Sequence, residues 1–401
     1  MGAPLEGIRV IEIGNFMATP FAGMQLADLG ADVVKLENPE GGDFSRSSAP
    51  FIDGESSNFI RLNRNKRSIA LDLKAPEGKS AFKRMIERCD VVLENLRPGT
   101  MRDLGLGYEV LVEINPQLIY VAASGWGQDG PYAALPGLDI MAQAMSGLMS
   151  ITGEPGGPPI KVGVPVTDLV AGLYGSLAAV AALYARRDGA GGQFIDVSLF
   201  ESGVALAVWE AGRYFATGEV PQRQGSAHQA TAPYQAFRAS DGHFTAGATT
   251  PKNWSAFCTV VGLESIEREA RFRDSSVRHQ NLAELVELIE AKTVERTASE
   301  WIALLQAAGV PAARIQSFDQ VFGDVHLKAR SFFADAPHAT LGEVRQVGSP
   351  MRFSLTKTVM RSAGPLLGEH SREVLGDYGF SEGEILELER DGAIAASAVT
   401  R

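Results

Sequence analysis

The chain has 401 residues, 45% of them hydrophobic and 21% charged, and a net charge of −11. That balance is the one of an ordinary globular protein with roughly two to three domains, and the acidic excess argues against nucleic acid or an anionic membrane as the main partner. Cys89 and Cys258 stand far apart, with no C-x-x-C and no His cluster nearby, so no disulfide framework and no metal site is expected. No apolar run reaches membrane-spanning length without a charge or a glycine, and the first residues lack the basic and apolar regions of a signal peptide. A cytoplasmic location is the expectation.

Ile8 to Ile13 is a β-branched run ending at Gly14, Pro20 to Leu29 has helical composition closed by Gly30, and Ala31 to Leu36 is a second strand. This is a β-α-β unit. Its glycines do not form G-x-G-x-x-G, so the dinucleotide fingerprint is absent although a Rossmann-like fold remains open. Alternation continues with a strand at Ser68 to Leu73, a helix at Gly78 to Cys89, and strands at Asp90 to Glu94 and Gln117 to Ala123. The pattern predicts an α/β fold with a parallel sheet covered on both faces, whose ligands lie beyond the strand C-termini. The loops leaving those ends are Asn15 to Thr19, Glu94 to Arg102 and Ser124 to Gly130.

Lys161 to Val166 alternates and carries Pro165, which suits a strand end. Leu169 to Arg187 is an Ala- and Leu-rich helix without internal proline. Asp168 therefore sits at or near a helix N-terminus, where the macrodipole favours an ionised carboxylate. It is either a plain helix cap, the commoner role for Asp, or a nucleophile. Gly172 and Gly175 permit close approach by another backbone.

After a turn and strand around Asp196, read as structural, a helix runs through Tyr214 and a Gly-, Pro- and Gln-rich linker covers Gly218 to Gly225. Tyr234 to Phe237 and His243 to Ala246 read as a hairpin joined at Ser240-Asp-Gly242. Helices are expected near Trp254 to Val261, Asn281 to Lys292 and Ala298 to Ala308. β-like runs follow around Val344 to Phe353, then a helical Glu369 to Arg390. The expected division is residues 1–215 as the first part of a large domain, 216–333 as linker and smaller α+β domain, and 334–401 as a return to the large domain. Arg61-Leu-Asn-Arg-Asn-Lys-Arg67 places four cations in seven residues. Such a cluster is either a solvated face or a seat for a polyphosphate. A second basic loop, Glu94-Asn-Leu-Arg-Pro-Gly-Thr-Met-Arg102, follows a strand directly.

Several segments in order resemble the class III coenzyme A transferases: Pro4-Leu-Glu-Gly-Ile-Arg-Val-Ile, Leu29-Gly-Ala-Asp-Val-Val-Lys-Leu-Glu37, Asn65-Lys-Arg-Ser-Ile-Ala-Leu-Asp-Leu-Lys74, Glu94-Asn-Leu-Arg-Pro-Gly99, Ser124-Gly-Trp-Gly-Gln-Asp-Gly-Pro131 and Thr167-Asp-Leu-Val-Ala-Gly172. The stretch Gly225 to Phe237 is most similar to the transferases that use succinyl-CoA and dicarboxylates such as glutarate, malate or mesaconate. The resemblance implies a Rossmann-like large domain plus a small domain in an interlaced, ring-like homodimer. It implies Asp168 as the nucleophile that carries CoA as a thioester, with an acyl-CoA and a small carboxylic acid as the reacting partners and no permanently bound cofactor. It places CoA contacts on Ala18, Leu71, Lys74, Asn95, Leu96 and Arg97, with Arg102 as a neighbour.

The departures carry information too. Racemases of the family have a G-H-D motif, whereas this chain reads Gly137-Leu138-Asp139, so two-base racemisation loses one partner. Met17 stands where the oxalate enzyme has a catalytic Gln, and the loop beginning at Gly247 is not polyglycine. Both positions are expected to face the substrate. Arg46 and His228 are candidates for the far carboxylate of a dicarboxylate, against the plainer readings of a loop salt bridge and a structural histidine. Acyl-CoA racemisation and a non-catalytic CoA-binding role are the alternatives to CoA transfer.

Overall fold

The structure, a computed structural model, describes residues 2–395. The chain divides into two compact units, one made from residues 2–148, 161–212 and 326–395, the other from residues 149–160 and 213–325.

The first unit is built on a seven-stranded sheet. Its strands are β1 (Arg9–Ile13), β2 (Asp32–Glu37), β3 (Lys66–Leu71), β4 (Val91–Glu94), β5 (Ile119–Ser124) and β6 (Gln193–Ser198), ordered β3-β2-β1-β4-β5-β6 and all parallel. The short strand Ile394–Ala395 adds antiparallel to β3 and closes that edge. The helices are α1 (Ala18–Asp28), α2 (Pro76–Ile86), α3 (Tyr108–Ile114), α4 (Asp139–Met145), α5 (Val166–Arg187) and α6 (Leu199–Leu206). Because side chains alternate along a strand, Val10, Val33, Leu93 and Val121 pack under α1 and α5. Ile11, Val34 and Val92 face the other way onto Phe82 and Met85 of α2. With both faces covered, the strands read as continuous apolar runs.

Two details depart from the sequence pattern. Lys161 to Pro165 is not a strand, so α5 begins at Val166 and Asp168 lies inside its first turn. The helical stretch near the C-terminus is split into Ser371–Asp377 and Glu382–Arg390 by Gly379, whose φ of 88° breaks the helix. α5 is also long and apolar enough to cross a membrane by length and composition alone. Its Ala171, Ala179, Ala182 and Leu183 stripe is spent on the core beside α1 and β5.

The second unit holds an antiparallel sheet of β7 (Tyr234–Ala239), β8 (Gly242–Gly247) and β9 (Ala312–Arg314). Helices α7 (Pro251–Val261), α8 (Leu282–Thr293) and α9 (Ala298–Ala307) cover it, and Phe237, Phe244, Trp254, Phe257 and Trp301 form its core. Thr297 and Glu300 make a reciprocal capping box at the start of α9.

A buried ionic lattice joins β1, β2 and the start of β3. Lys35 Nζ is 2.8 Å from both Glu12 Oε1 and Asp43 Oδ2 and donates to the Gly14 carbonyl. Lys66 Nζ is 2.6 Å from Glu12 Oε2 and donates to the Pro20 carbonyl and to Asn63 Oδ1. Arg46 makes a two-point fork to Glu37, which also accepts from Ser68 Oγ and the Asp43 amide. Burial opposes charge on Lys35, but Glu12, Asp43 and Glu37 together outweigh it and hold the ammonium above its ordinary range. Burial likewise works against the Asp43 carboxylate, yet Lys35 and the Ser45 and Phe16 amides bring it down to about 2. Gly23 of α1 is required by this lattice, since a Cβ there would meet Glu12 Oε2 at 2.1 Å.

Removing one partner from such a lattice leaves uncompensated buried charge. Lys35→Ala is expected to lower the stability of the first unit by about 3–5 kcal/mol in denaturant titration. Arg273→Ala, which removes an exposed pair with Asp274, is expected to cost less than about 1 kcal/mol.

Candidate active site

The sheet order reverses between β1 and β4, and such a switch point opens a crevice beyond the strand ends. The loops after β1 and β4 are fastened together there. The Asn15 amide donates to Asn95 Oδ1 at 2.8 Å, and Asn95 Nδ2 returns a bond to the Asn15 carbonyl at 2.9 Å. Met17 is the N-cap residue of α1. Gly172, in α5, lets the two helices meet: a Cβ on it would lie 2.6 Å from the Ala18 carbonyl oxygen. Asp168 is four residues before Gly172 and so on the same helix face, which aims its carboxyl toward the start of α1.

Asp168 is partly shielded, and burial first, then the carboxylate of Asp139, push its carboxyl up to about 7. The helix-end field that the sequence suggests would favour ionisation is therefore outweighed by desolvation. Asp139 begins α4 and is itself well supplied with donors: Thr167 N at 2.9 Å, Thr167 Oγ1 at 2.7 Å and Gln143 Nε2 at 2.6 Å. Gln143 Oε1 accepts from the Val162 amide. This chain of bonds fixes the approach to α5 and its first turn.

The other sequence candidates fall into three groups. Ala18 and Leu71 are buried, and Leu71 belongs to the core, so only their backbone can meet a ligand. Lys74, Arg97 and Arg102 are exposed and lie on the loops after β3 and β4. Arg97 donates to the Ala134 carbonyl, Arg102 touches only Asp103 at 4.0 Å, and Lys74 has no ion pair among the described residues. Asn95 and Leu96 are half-buried, and the Leu96 amide donates to Glu94. Arg102 and Met101 line a cavity of about 390 Å³ with Glu94, Tyr108, Tyr120 and Phe194. Burial pushes Glu94 up to about 7.

The remaining candidates are Arg46, His228 and Gly247. Arg46 spends its fork on Glu37, donates to the Pro365 carbonyl and stacks 3.7 Å from the Phe59 ring centre, leaving no donor pair open to a substrate carboxylate. His228 stacks on Tyr234 and its Nδ1 accepts from the Ala230 amide, which fixes a loop of the second unit. Gly247, in that unit, lines a cavity of about 470 Å³ with Tyr234, Thr249, Asn253 and Gln306. Three of the four cations of 61–67 are paired with carboxylates inside the fold, and the fourth, Arg61, is half-buried. Arg64 pairs with Asp28, Lys66 with Glu12, Arg67 with Asp32, Glu373 and Asp377, and Arg61 bonds Ser57.

Residues 5–371 match the profile of CoA-transferase family III. The chain belongs to this family. Succinyl-CoA:glutarate CoA-transferase of Mus musculus is 37% identical over 98% of this chain and 90% of its own length. Succinate–glutarate CoA-transferase of Agrobacterium fabrum is 37% identical over 93% and 95%. A solved CAIB/BAIF family protein from Brucella suis superposes with a TM-score of 0.84 at 36% identity, covering 94% of this chain and all of that one. The protein is an enzyme of the CoA-transferase type.

Sequence reasoning missed Thr167 and Gln143 as the groups that hold Asp139 beside the first turn of α5. The signal available was the spacing of Asp139 and Gln143, which puts both on one helix face, and the Thr beside Asp168. Because Asp139 contributes to the raised Asp168 carboxyl, Asp139→Asn is expected to lower its titration midpoint from about 7, measured by carboxyl ¹³C NMR. The midpoint should stay above 3.8, since burial is the larger cause.

Proposed function

We propose that this transferase moves CoA from succinyl-CoA, or a similar dicarboxyl-CoA, to a small dicarboxylic acid through a thioester on Asp168. The observation that carries the reading is the placement of Asp168: a desolvated carboxyl in the first turn of α5, one turn before the Gly172 contact with the start of α1. The names of the relatives, succinyl-CoA:glutarate and succinate–glutarate CoA-transferases, support the substrate class. Asp168 attacks the donor thioester carbonyl and displaces CoA thiolate, giving a mixed anhydride. The thiolate attacks the aspartyl carbonyl, releasing the donor acid and leaving CoA on Asp168. The acceptor carboxylate then displaces CoA from the aspartyl group, and the thiolate attacks the acceptor carbonyl of the second anhydride to free the new acyl-CoA and Asp168. Each step exchanges one acyl bond for another, so the protein's work is positioning and exclusion of water.

Lys74, Arg97 and Arg102 are the cations left open along this crevice, and they are assigned to the phosphates of CoA. The apolar side chains left exposed on α5, Leu177 and Tyr184 at 63% and 71%, together with Phe194 on the edge strand, support burial against a second copy in a homodimer. Leu138, exposed at the N-cap of α4, offers no titratable group, so nothing favours the racemase reading over transfer.

Incubation with succinyl-CoA followed by intact-protein mass spectrometry is expected to show a CoA-sized adduct on Asp168 that Asp168→Asn abolishes; an adduct elsewhere, or none from several donors, sinks the reading. Since only the ionised carboxylate attacks, kcat/KM should rise with pH through an apparent pKa of about 7. Arg97→Ala/Arg102→Ala should raise KM for the acyl-CoA by roughly tenfold or more at low salt while leaving kcat nearly unchanged, the pattern of a lost uniform-binding contact.

A further inference from the structure

Two exposed aromatic rings, on the segments that follow β1 and β2, are not used by the mechanism. Phe16 is 54% exposed and Phe44 is 66% exposed, yet their rings stack at 5.8 Å and 25°. Phe16 is held at a φ of 59°, in the left-handed region that favours glycine. A bulky, solvent-facing residue kept there needs support, and the support is visible. The Phe16 amide donates to Asp43 Oδ1, Asp43 is paired with buried Lys35, and the Phe44 amide donates to Asn15 Oδ1. Asn15 is in turn locked by Asn95. The ionic lattice thus presents two phenyl rings to solvent at a fixed separation. Their location follows from the chain: Phe16 immediately precedes Met17 and Ala18, and Ala18 abuts Gly172 one turn beyond Asp168.

We propose that Phe16 and Phe44 form an apolar wall over the acylated Asp168, packing on the aliphatic part of the bound acyl thioester and keeping water from the aspartyl carbonyl. The inference rests on the covalent reading given above. Its consequence is partition. Water reaching that carbonyl would add through oxygen and expel CoA thiolate, which takes up one of water's two protons; the other passes to solvent as the Asp168 carboxylate is regenerated. The net reaction would be hydrolysis of acyl-CoA to acid and free thiol, in place of transfer. A wall of side chains that cannot donate or accept protons suppresses this route without impeding a carboxylate acceptor held by other groups.

The test compares wild type, Phe16→Ala/Phe44→Ala and Phe16→Leu/Phe44→Leu. Three quantities are read: free thiol released from succinyl-CoA without acceptor, acyl transfer to glutarate, and the mass of the aspartyl adduct. Both rings are exposed, so truncation leaves the core intact; far-ultraviolet circular dichroism and solution mass confirm this. The alanine pair is expected to raise the ratio of hydrolysis to transfer at least about tenfold while the adduct still forms. The leucine pair, which restores apolar bulk, should recover most of the wild-type ratio. An adduct with an unchanged ratio in the alanine pair overturns the wall and leaves the covalent mechanism standing. Absence of any adduct in wild type overturns both. A fall in solution mass with an unchanged ratio would instead assign the two rings to contact with a second copy.

Discussion

The positioning of this site depends on a buried lattice of six charged side chains, Glu12, Lys35, Glu37, Asp43, Arg46 and Lys66. Its charges cancel, three of each sign, and that cancellation lets them stay in the interior. Replacing such a lattice with apolar side chains of equal volume often stabilises a protein, so its value here is geometric. Apolar packing would bury the strand ends equally well, but it would not fix where two loops leave them. Lys35 ties the carboxylate of the 43–47 turn and the Gly14 carbonyl to one ammonium group. Asp43 then holds the Phe16 amide, and left-handed backbone at a phenylalanine, a cost of order 1–3 kcal/mol, becomes a fixed feature of the crevice.

Much of this was legible in the sequence, and the failures share one cause. The alternation of strands and helices was readable because burial on both faces of a parallel sheet leaves continuous apolar runs. Asp168 stood out because proline and an alanine-rich run bracket it, and Gly172 because a helical glycine needs a neighbour close by. The 61–67 cations misled because charge is local in sequence while neutralisation is not. Arg67 meets Glu373 and Asp377 about three hundred residues on, and Lys66 meets Glu12. No window around residue 65 contains those partners. For Arg46 the plainer of its two readings, a salt bridge, is the one found, its fork being closed by Glu37 of the preceding strand. Strand-like alternation at 161–165 failed because no sheet edge is there to receive it, and the segment is fixed instead by Gln143.

With three of the four 61–67 cations paired internally, the exposed cations include Lys74, Arg97 and Arg102, on segments that follow strands β3 and β4. Against a net charge of −11, Lys74, Arg97 and Arg102 are exposed cations on the segments after β3 and β4, and on the proposed function they are the groups that meet the phosphates of CoA. Such contrast favours orientation over raw affinity. A CoA seated by its phosphates on these loops would direct its thiol end along the crevice toward α5.

The energetics of Asp168 complete the argument. Its carboxyl is raised in the fold relative to the unfolded chain, so the folded state binds an extra proton between about 4 and 7 and loses stability as pH rises through that window. At neutral pH the fold bears part of the cost of an ionised carboxylate that burial and Asp139 both disfavour. Acylation removes that charge. On the proposed mechanism, the desolvation that makes free Asp168 costly also makes the neutral acyl-aspartyl state comparatively comfortable, and a raised pKa makes the carboxylate a better nucleophile once formed. Binding energy need not be spent on distorting the donor to the same degree, because the folded protein already holds one reactant in a destabilised state. The requirement that follows is exclusion of water, since an acylated carboxyl in a dry site is long-lived only while the site stays dry.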